Sequence, residues 1–264
     1  MKETLKDRGI ITLAGPDRHA LLRGIITNSV KPLIAGEAIY AALLTPQGKF
    51  LHDFFLIEKE GVIYLDCELE GLPKLFQKLL MYRLRSNVEI IDRSADLNVL
   101  ATSEKSVNDI CFQDPRNPEM GYRSIGEEAA NETNEYHSRR IALGIPEGTN
   151  DFITDKSTIL EGHFEALNGV DFDKGCYVGQ EVIARMKYRG KIKKLMYPVK
   201  LSGPAPEFGT EITDENGNKI GDIRSNSGDT AIALFRIDKM EMDKPYQCGD
   251  ITVTPYKPDW MDNE

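Results

Sequence analysis

After Lys191 the chain changes texture, and that change limits its fold more than any other feature. Residues 195–201, 211–213, 219–223, 230–235 and 251–255 form short strand-like runs. Gly203-Pro204, Glu215-Asn216-Gly217-Asn218 and Asn226-Ser227-Gly228-Asp229 separate them. Short apolar runs punctuated by turn residues are the pattern of a small all-β barrel or sandwich. A boundary near residue 194 follows, with a larger region over 1–194 and a smaller one over 195–264.

The first region mixes both periodicities. Residues 9–15 alternate as a strand. Pro16 then opens a helix whose stripe is Leu21, Leu22, Ile25 and Ile26. Residues 38–44 and 49–58 read as the two arms of a hairpin turned by Thr45-Pro46-Gln47-Gly48. A strand over 62–67 follows, then a helix over 70–85 with Leu72, Leu75, Phe76, Leu79 and Leu80 on one broad face. Residues 88–92 and 97–102 read as strands, and 113–118 as loop. Residues 133–143 read as a helix ended by Gly144, and 157–166 as a short helix. The class is α+β, a mixed body followed by a β-barrel.

Composition excludes several functions. The charged residues, 33 basic and 42 acidic, leave a net −9, so the overall field does not attract nucleic acid. No apolar run approaches the roughly 18 residues of a membrane span. The first residues, Met1-Lys2-Glu3-Thr4-Leu5-Lys6-Asp7, have no apolar core of a secretory signal. Cys67, Cys111, Cys176 and Cys248 are far apart, with no CxxC pair, so no resident metal or cluster site is expected. Four scattered cysteines fit a reducing, cytoplasmic location. Nucleotide-loop, nucleophile-elbow and zinc-protease motifs are missing. His19, His52, His137 and His163 read as surface or satisfied core residues.

One stretch differs from the rest: Lys174-Gly175-Cys176-Tyr177-Val178-Gly179-Gln180-Glu181. Two glycines, which tolerate positive φ, bracket a cysteine just before a helix-forming segment. A helix N-terminus and a nearby Lys174 both favour thiolate over thiol. The residues alone leave two readings, an activated Cys176 or a small residue packed at a turn. Cys67 and Cys111 are expected to be buried, and Cys248 to be the exposed control. Arg185, Lys187, Arg189, Lys191, Lys193 and Lys194 then follow without an intervening acid. They form either a solvated face or a landing site for a polyanion.

The octet Lys-Gly-Cys-Tyr-x-Gly-Gln-Glu, with Arg185 after it, resembles the signature of the YgfZ family. These are folate-binding relatives of the glycine-cleavage T-protein that assist iron–sulfur cluster maturation. Leu44-Thr45-Pro46-Gln47-Gly48-Lys49-Phe50-Leu51-His52-Asp53 resembles the family's N-terminal hairpin. Arg140-Ile141-Ala142-Leu143-Gly144-Ile145-Pro146 resembles the segment before the folate pocket, and Gly221-Asp222-Ile223-Arg224-Ser225 the barrel. The resemblance implies a T-protein-like folate-binding body and tetrahydrofolate as cofactor. It implies that Asp53 and Glu161 bind the pterin, together with Lys174, Tyr177, Gln180, Glu181 and Arg185 of the signature. It implies Cys176 as the reactive residue, and cluster-assembly proteins and iron–sulfur client enzymes as partners. The T-protein pattern lacks the cysteine octet and usually has arginines where Lys193-Lys194 stand. That favours a maturation factor over the alternative, a folate-dependent aminomethyltransferase.

Overall fold

The computed structural model describes residues 2–106, 110–190 and 192–263. It divides into two compact units, one of residues 1–136 and 167–182 and the other of 137–166 and 183–264.

The first unit holds two antiparallel sheets. Strands β1 (Lys2–Thr4) and β2 (Arg8–Ala14) precede helices α1 (Arg18–Ile25) and α2 (Lys31–Ile34). Strands β3 (Ile39–Leu44), β4 (Phe50–Lys59) and β5 (Val62–Glu68) lead to α3 (Leu72–Arg83). Strands β6 (Glu89–Asp92), β7 (Asn98–Thr102), β8 (Ile110–Gln113) and β9 (Tyr122–Gly126) complete it. The five-stranded sheet runs β3-β4-β5-β2-β6 and the four-stranded sheet β1-β7-β9-β8.

Side-chain alternation explains how the five-stranded sheet is used. Neighbouring residues of a strand point to opposite faces. Ile11, Leu13, Ala41, Leu43, Phe54, Leu56, Ile63 and Leu65 share one face and join a core with Leu21, Leu22 and Ile25 of α1 and Leu72, Leu75 and Leu79 of α3. The leucine spacing in α3 places all three on one stripe. The register sets Tyr40 opposite Phe55, Ala42 opposite Asp53, and Phe55 opposite Asp66. These residues occupy the other face, which carries a buried polar layer.

The second unit contains α5 (Gly148–Asp151), a 3-10 turn over Ile159–Gly162, and a closed barrel. Two helices run across the unit limits in sequence, α4 (Glu135–Ala142) and α6 (Gln180–Tyr188). The barrel strands are β10 (Lys194–Leu201), β11 (Glu211–Thr213), β12 (Lys219–Ser227), β13 (Thr230–Arg236), β14 (Tyr246–Cys248) and β15 (Ile251–Pro255). Their order is β10-β13-β12-β11-β14-β15, and β15 closes on β10 through Val199–Leu201 and 253–255. Closure leaves no free edge along the ring. Val199, Ile212, Ile223, Ala233, Phe235 and Val253 fill the interior.

Several expectations need correction. Strands β1, β8, β9 and β14 were not anticipated. The helix expected over 157–166 is the 3-10 turn, followed by His163 in the left-handed region at φ 57°. Cys248 is buried on β14, not exposed in a loop, whereas Cys111 is only partly buried. His163 fits the expectation of a satisfied core histidine: its Nε2 donates to the Met196 carbonyl at 2.7 Å. Gly144, at φ +68°, follows α4, and a Cβ there would lie 2.8 Å from Pro198 Cδ.

Candidate functional site

The cysteine octet is held at both of its ends, all within the first unit. Upstream, Asp171 N–H donates to the Thr27 carbonyl at 3.1 Å. Thr27 Oγ1 in turn donates to the Gly169 carbonyl at 2.7 Å. The Asp171 carboxylate accepts from the amides of Asp173 and Lys174 at 2.8 and 3.1 Å, which closes a tight turn. Lys174 Nζ then donates to the carbonyls of Ile26 at 2.6 Å and Arg23 at 3.1 Å, at the end of α1. A cation suits that place, because the last carbonyls of a helix lack intrahelical donors and carry its negative end.

Downstream, Gly179 is required by geometry. Its φ is +86°, and a Cβ there would lie 2.6 Å from the Thr45 carbonyl oxygen. Gly48, at φ +71°, faces it from the hairpin turn, where a Cβ would meet Val182 Cβ at 3.1 Å. Two of the segments that carry the resemblance, the octet and the hairpin, are therefore in backbone contact. Gly175 differs: its φ is not positive and a Cβ there meets nothing within 4 Å. Its expected conformational role is absent.

Between these anchors Cys176 is exposed and free. Helix α6 begins at Gln180, as expected from its residues, and Gln180 N–H donates to the Tyr177 carbonyl at 3.2 Å. Glu181 and Arg185 are exposed on α6. Tyr177 is buried, and its hydroxyl has no hydrogen-bond partner among the described residues. Lys174 Nζ stands 4.9 Å from the centre of its ring. Burial pushes the Tyr177 phenol up to about 12, with Asp171 adding to it. Burial also holds the Lys174 amine down at about 8, against the pull of Asp171 and with the Arg23 guanidinium assisting. Lys174 was expected to act on Cys176, but its ammonium is bonded to α1.

Asp53 is buried on β4 and accepts a 2.6 Å hydrogen bond from Tyr40 Oη. Next to it lies a polar layer that sequence reasoning missed. Asp66 accepts from Arg8 Nε at 2.7 Å and from Arg123 Nε at 2.8 Å. Arg116 pairs with Asp114 at 2.7 Å. Tyr136 Oη accepts from both Arg116 and Arg123 at 2.8 Å. The guanidinium carbons of Arg123, Arg116 and Arg8 lie 4.0, 4.6 and 5.6 Å from the Phe55 ring centre. Isolated arginines in short strands give no spacing signal, since such residues usually read as surface.

Glu161 belongs to the second unit and is half-buried. Its carboxylate accepts from Thr158 N–H at 3.0 Å, at the start of the 3-10 turn. Arg140 is also buried in that unit. It donates to Asp151 at 2.7 Å and to the Ile145 carbonyl at 3.0 Å, while Asp151 accepts from Ser225 Oγ at 2.6 Å. In the basic run, Lys187 is paired with Glu165, Arg185 and Arg189 are exposed, and Lys191 lies outside the described residues.

Residues 193–263 match the family described as CAF17, C-terminal beta-barrel domain. The solved structure of the glycine cleavage system aminomethyltransferase T from Bartonella henselae superposes with a TM-score of 0.79. It covers 98% of this chain and 85% of that one at 14% identity, so the likeness is one of fold: a T-protein-like body with a C-terminal barrel. The iron-sulfur cluster assembly factor IBA57, mitochondrial, of Homo sapiens is 28% identical, over 97% of this chain and 84% of its own length. The IBA57 homolog of Mycosarcoma maydis is 32% identical, over 75% of this chain and 57% of its own. The Mus musculus protein of the same name is 30% identical, over 97% of this chain and 84% of its own length. On that similarity, this chain belongs to the family of the iron–sulfur cluster assembly factor IBA57.

Proposed function

We propose that this chain is a tetrahydrofolate-binding accessory protein for the assembly, insertion or repair of iron–sulfur clusters in client enzymes, of the YgfZ type. The observation that carries the reading is Cys176, exposed on a loop anchored by Lys174 on one side and Gly179 on the other. An exposed thiol held in place is suited to transient bonding with iron or sulfur, or to exchange with a client's oxidised thiol. An all-cysteine cluster takes four thiolates. Among the described residues no three His, Cys, Asp or Glu side chains converge as a metal site. A cluster handled at Cys176 therefore takes its other ligands from a partner, a cluster-assembly protein or a client. The relatives' names support this role, and the 14% likeness to an aminomethyltransferase supports fold alone.

The donor chemistry suits a pterin. Its amino group and ring N–H are donors, and Asp53 and Glu161 are acceptors. Asp53 accepts from Tyr40 Oη and Glu161 from Thr158 N–H, the use of a carboxylate that a pterin's donors also call for. Tyr177 adds a buried hydroxyl with bonding capacity left. Bound tetrahydrofolate would supply one-carbon or redox chemistry; in the first unit Asp53 and Tyr177 would orient it, and Glu161 is the acceptor that the second unit would offer to a pterin. The relatives named above are mitochondrial, and among the described residues no helix is long and apolar enough to cross a membrane. Four free cysteines fit a reducing compartment, and we place the protein in the cytoplasm.

The test is rescue of a deletion strain, read as the activity of several iron–sulfur enzymes. Wild type should restore them and Cys176→Ala should fold but fail. Full rescue by the alanine variant would reject the role of the thiol. Calorimetry with tetrahydrofolate tests the cofactor separately. Asp53→Ala or Glu161→Ala should cost about 1–3 kcal/mol of binding, and no binding by wild type would reject the folate reading.

A further inference from the structure

Beside the cysteine loop the first unit has a groove of about 530 Å³. One wall comes from α1, α2 and the turn between them, the other from the stretch that ends at Gly175. Its lining divides by chemistry. Ala20, Val30 and Ile34 give apolar surface, and Ile34 is 66% exposed. Arg23, Lys31 and Lys174 give cations. Neither Arg23 nor Lys31 has an ion-pair partner among the described residues. Two acids also line the groove, Asp171 and Asp173, but the Asp171 carboxylate is turned onto the amides of its own loop. His19, on the same wall, is engaged with Glu58 at 2.5 Å.

Arg23 and Lys31 are exposed and Lys174 is half-buried; the Arg23 guanidinium opposes the charge on Lys174 across the groove, and an anion placed among these cations relieves that repulsion. The apolar strip alongside favours a ligand that is not an anion alone. We infer that this groove binds an amphipathic carboxylate, with its head among Arg23, Lys31 and Lys174 and its apolar body along Ala20, Val30 and Ile34. The volume is within the roughly 300–1,000 Å³ of small-molecule sites. Neither Asp53 nor Glu161 lines this groove, which has only Lys174 in common with the residues that the resemblance implies for folate, and its binding does not depend on the role of Cys176.

A consequence distinguishes this site from nonspecific adsorption. The Lys174 amine, held at about 8, loses its charge just above neutrality. A bound anion favours the charged amine, and by reciprocity the charged amine favours the anion. The groups facing Lys174 are Arg23 and His19 from α1, Lys31 from α2, Asp171 and Asp173 from its own turn, and the Tyr177 ring. Affinity should therefore fall as pH rises through 8.

Calorimetry on the full chain with hexanoate and hexylamine, which share a tail and differ in charge, tests this. Hexanoate should bind and hexylamine should not. Arg23→Gln with Lys31→Gln should weaken hexanoate at least about tenfold, or 1.4 kcal/mol. Ile34→Ser should weaken it too. From about pH 7 to about pH 9.5 affinity should drop by about threefold to tenfold, the effect of one lost charge contact, and Lys174→Met should abolish that drop. Circular dichroism checks folding, and Lys31→Gln alone serves if the double variant unfolds. Equal binding of the two probes, no binding of hexanoate, or an affinity indifferent to these variants and to pH would overturn the proposal. Binding that competes with tetrahydrofolate would also overturn it, by merging the two sites.

Discussion

Gly48 and Gly179 lie back to back: a Cβ added to Gly179 would come within 3.1 Å of Gly48 Cα and 2.6 Å of the Thr45 oxygen. The hairpin turn is thus the floor on which the cysteine loop ends and α6 begins. Gly179→Ala introduces both steric overlap and a positive φ for a residue with a Cβ. It should destabilise the protein by about 1–3 kcal/mol, measured by denaturant unfolding. Gly175→Ala, with open space around it, is the control and should be close to neutral.

Lys174 makes stability depend on alkaline pH in an unusual direction. Its amine is at about 8 in the fold, below its ordinary 10.5. Between those values the unfolded chain holds the extra proton, so stability rises with pH. Below about pH 8 the buried charge is a cost in the native state. Unfolding curves of wild type and Lys174→Met, compared from pH 7 to 10.5, should show the wild type gaining relative to the variant across that window.

Alkylation should rank the thiols by access. Cys176 is exposed and Cys111 partly so, while Cys67 and Cys248 are buried. Burial pushes both of the buried thiols up, Cys67 far more than Cys248, which suppresses their thiolates. Mass spectrometry of timed alkylation should find Cys176 modified first and Cys67 last. A Cys176 slower than Cys111 would contradict the exposure on which its role rests.

The Asp66 carboxylate joins Arg8 of β2 to Arg123 of β9. Asp66→Asn leaves two buried guanidiniums short of an anion. The expected loss is about 3–5 kcal/mol, read as a lower urea midpoint. Phe55→Leu removes the ring beneath three guanidiniums and should cost less, since the ion pairs remain.

The sequence revealed the hairpin and most of the barrel because their signals are local. Continuous apolar runs over 39–44 and 54–57, separated by a turn with Pro46 and Gly48, specify β3 and β4 within a residue or so. Strand β14 has three residues between Pro245 and Gly249, too short for a period to register, and so Cys248 was misplaced. Strand β9 carries Arg123, which is 1% exposed, and a lone arginine normally signals solvent. The partners that bury it, Asp66 and Tyr136, are distant in sequence. At the cysteine loop the helix start and the exposed thiol were legible. The attachment of Lys174 to Ile26 was not, because no rule of spacing joins residues so far apart.

Strand β4 separates two incompatible environments one residue apart. Phe54 belongs to the apolar core and Asp53 to the polar layer on the opposite face. One irregularity of register already lies in β4, between the pairs Leu43–His52 and Leu44–Phe50, and the contact of Gly48 with Gly179 holds the turn beyond it. An insertion of one residue between that irregularity and Asp53 would exchange the two environments, placing the Asp53 carboxylate in the apolar core and Phe54 on the face of the guanidiniums. A frame of reference set by a glycine pair thus also sets which side of the sheet faces the arginines.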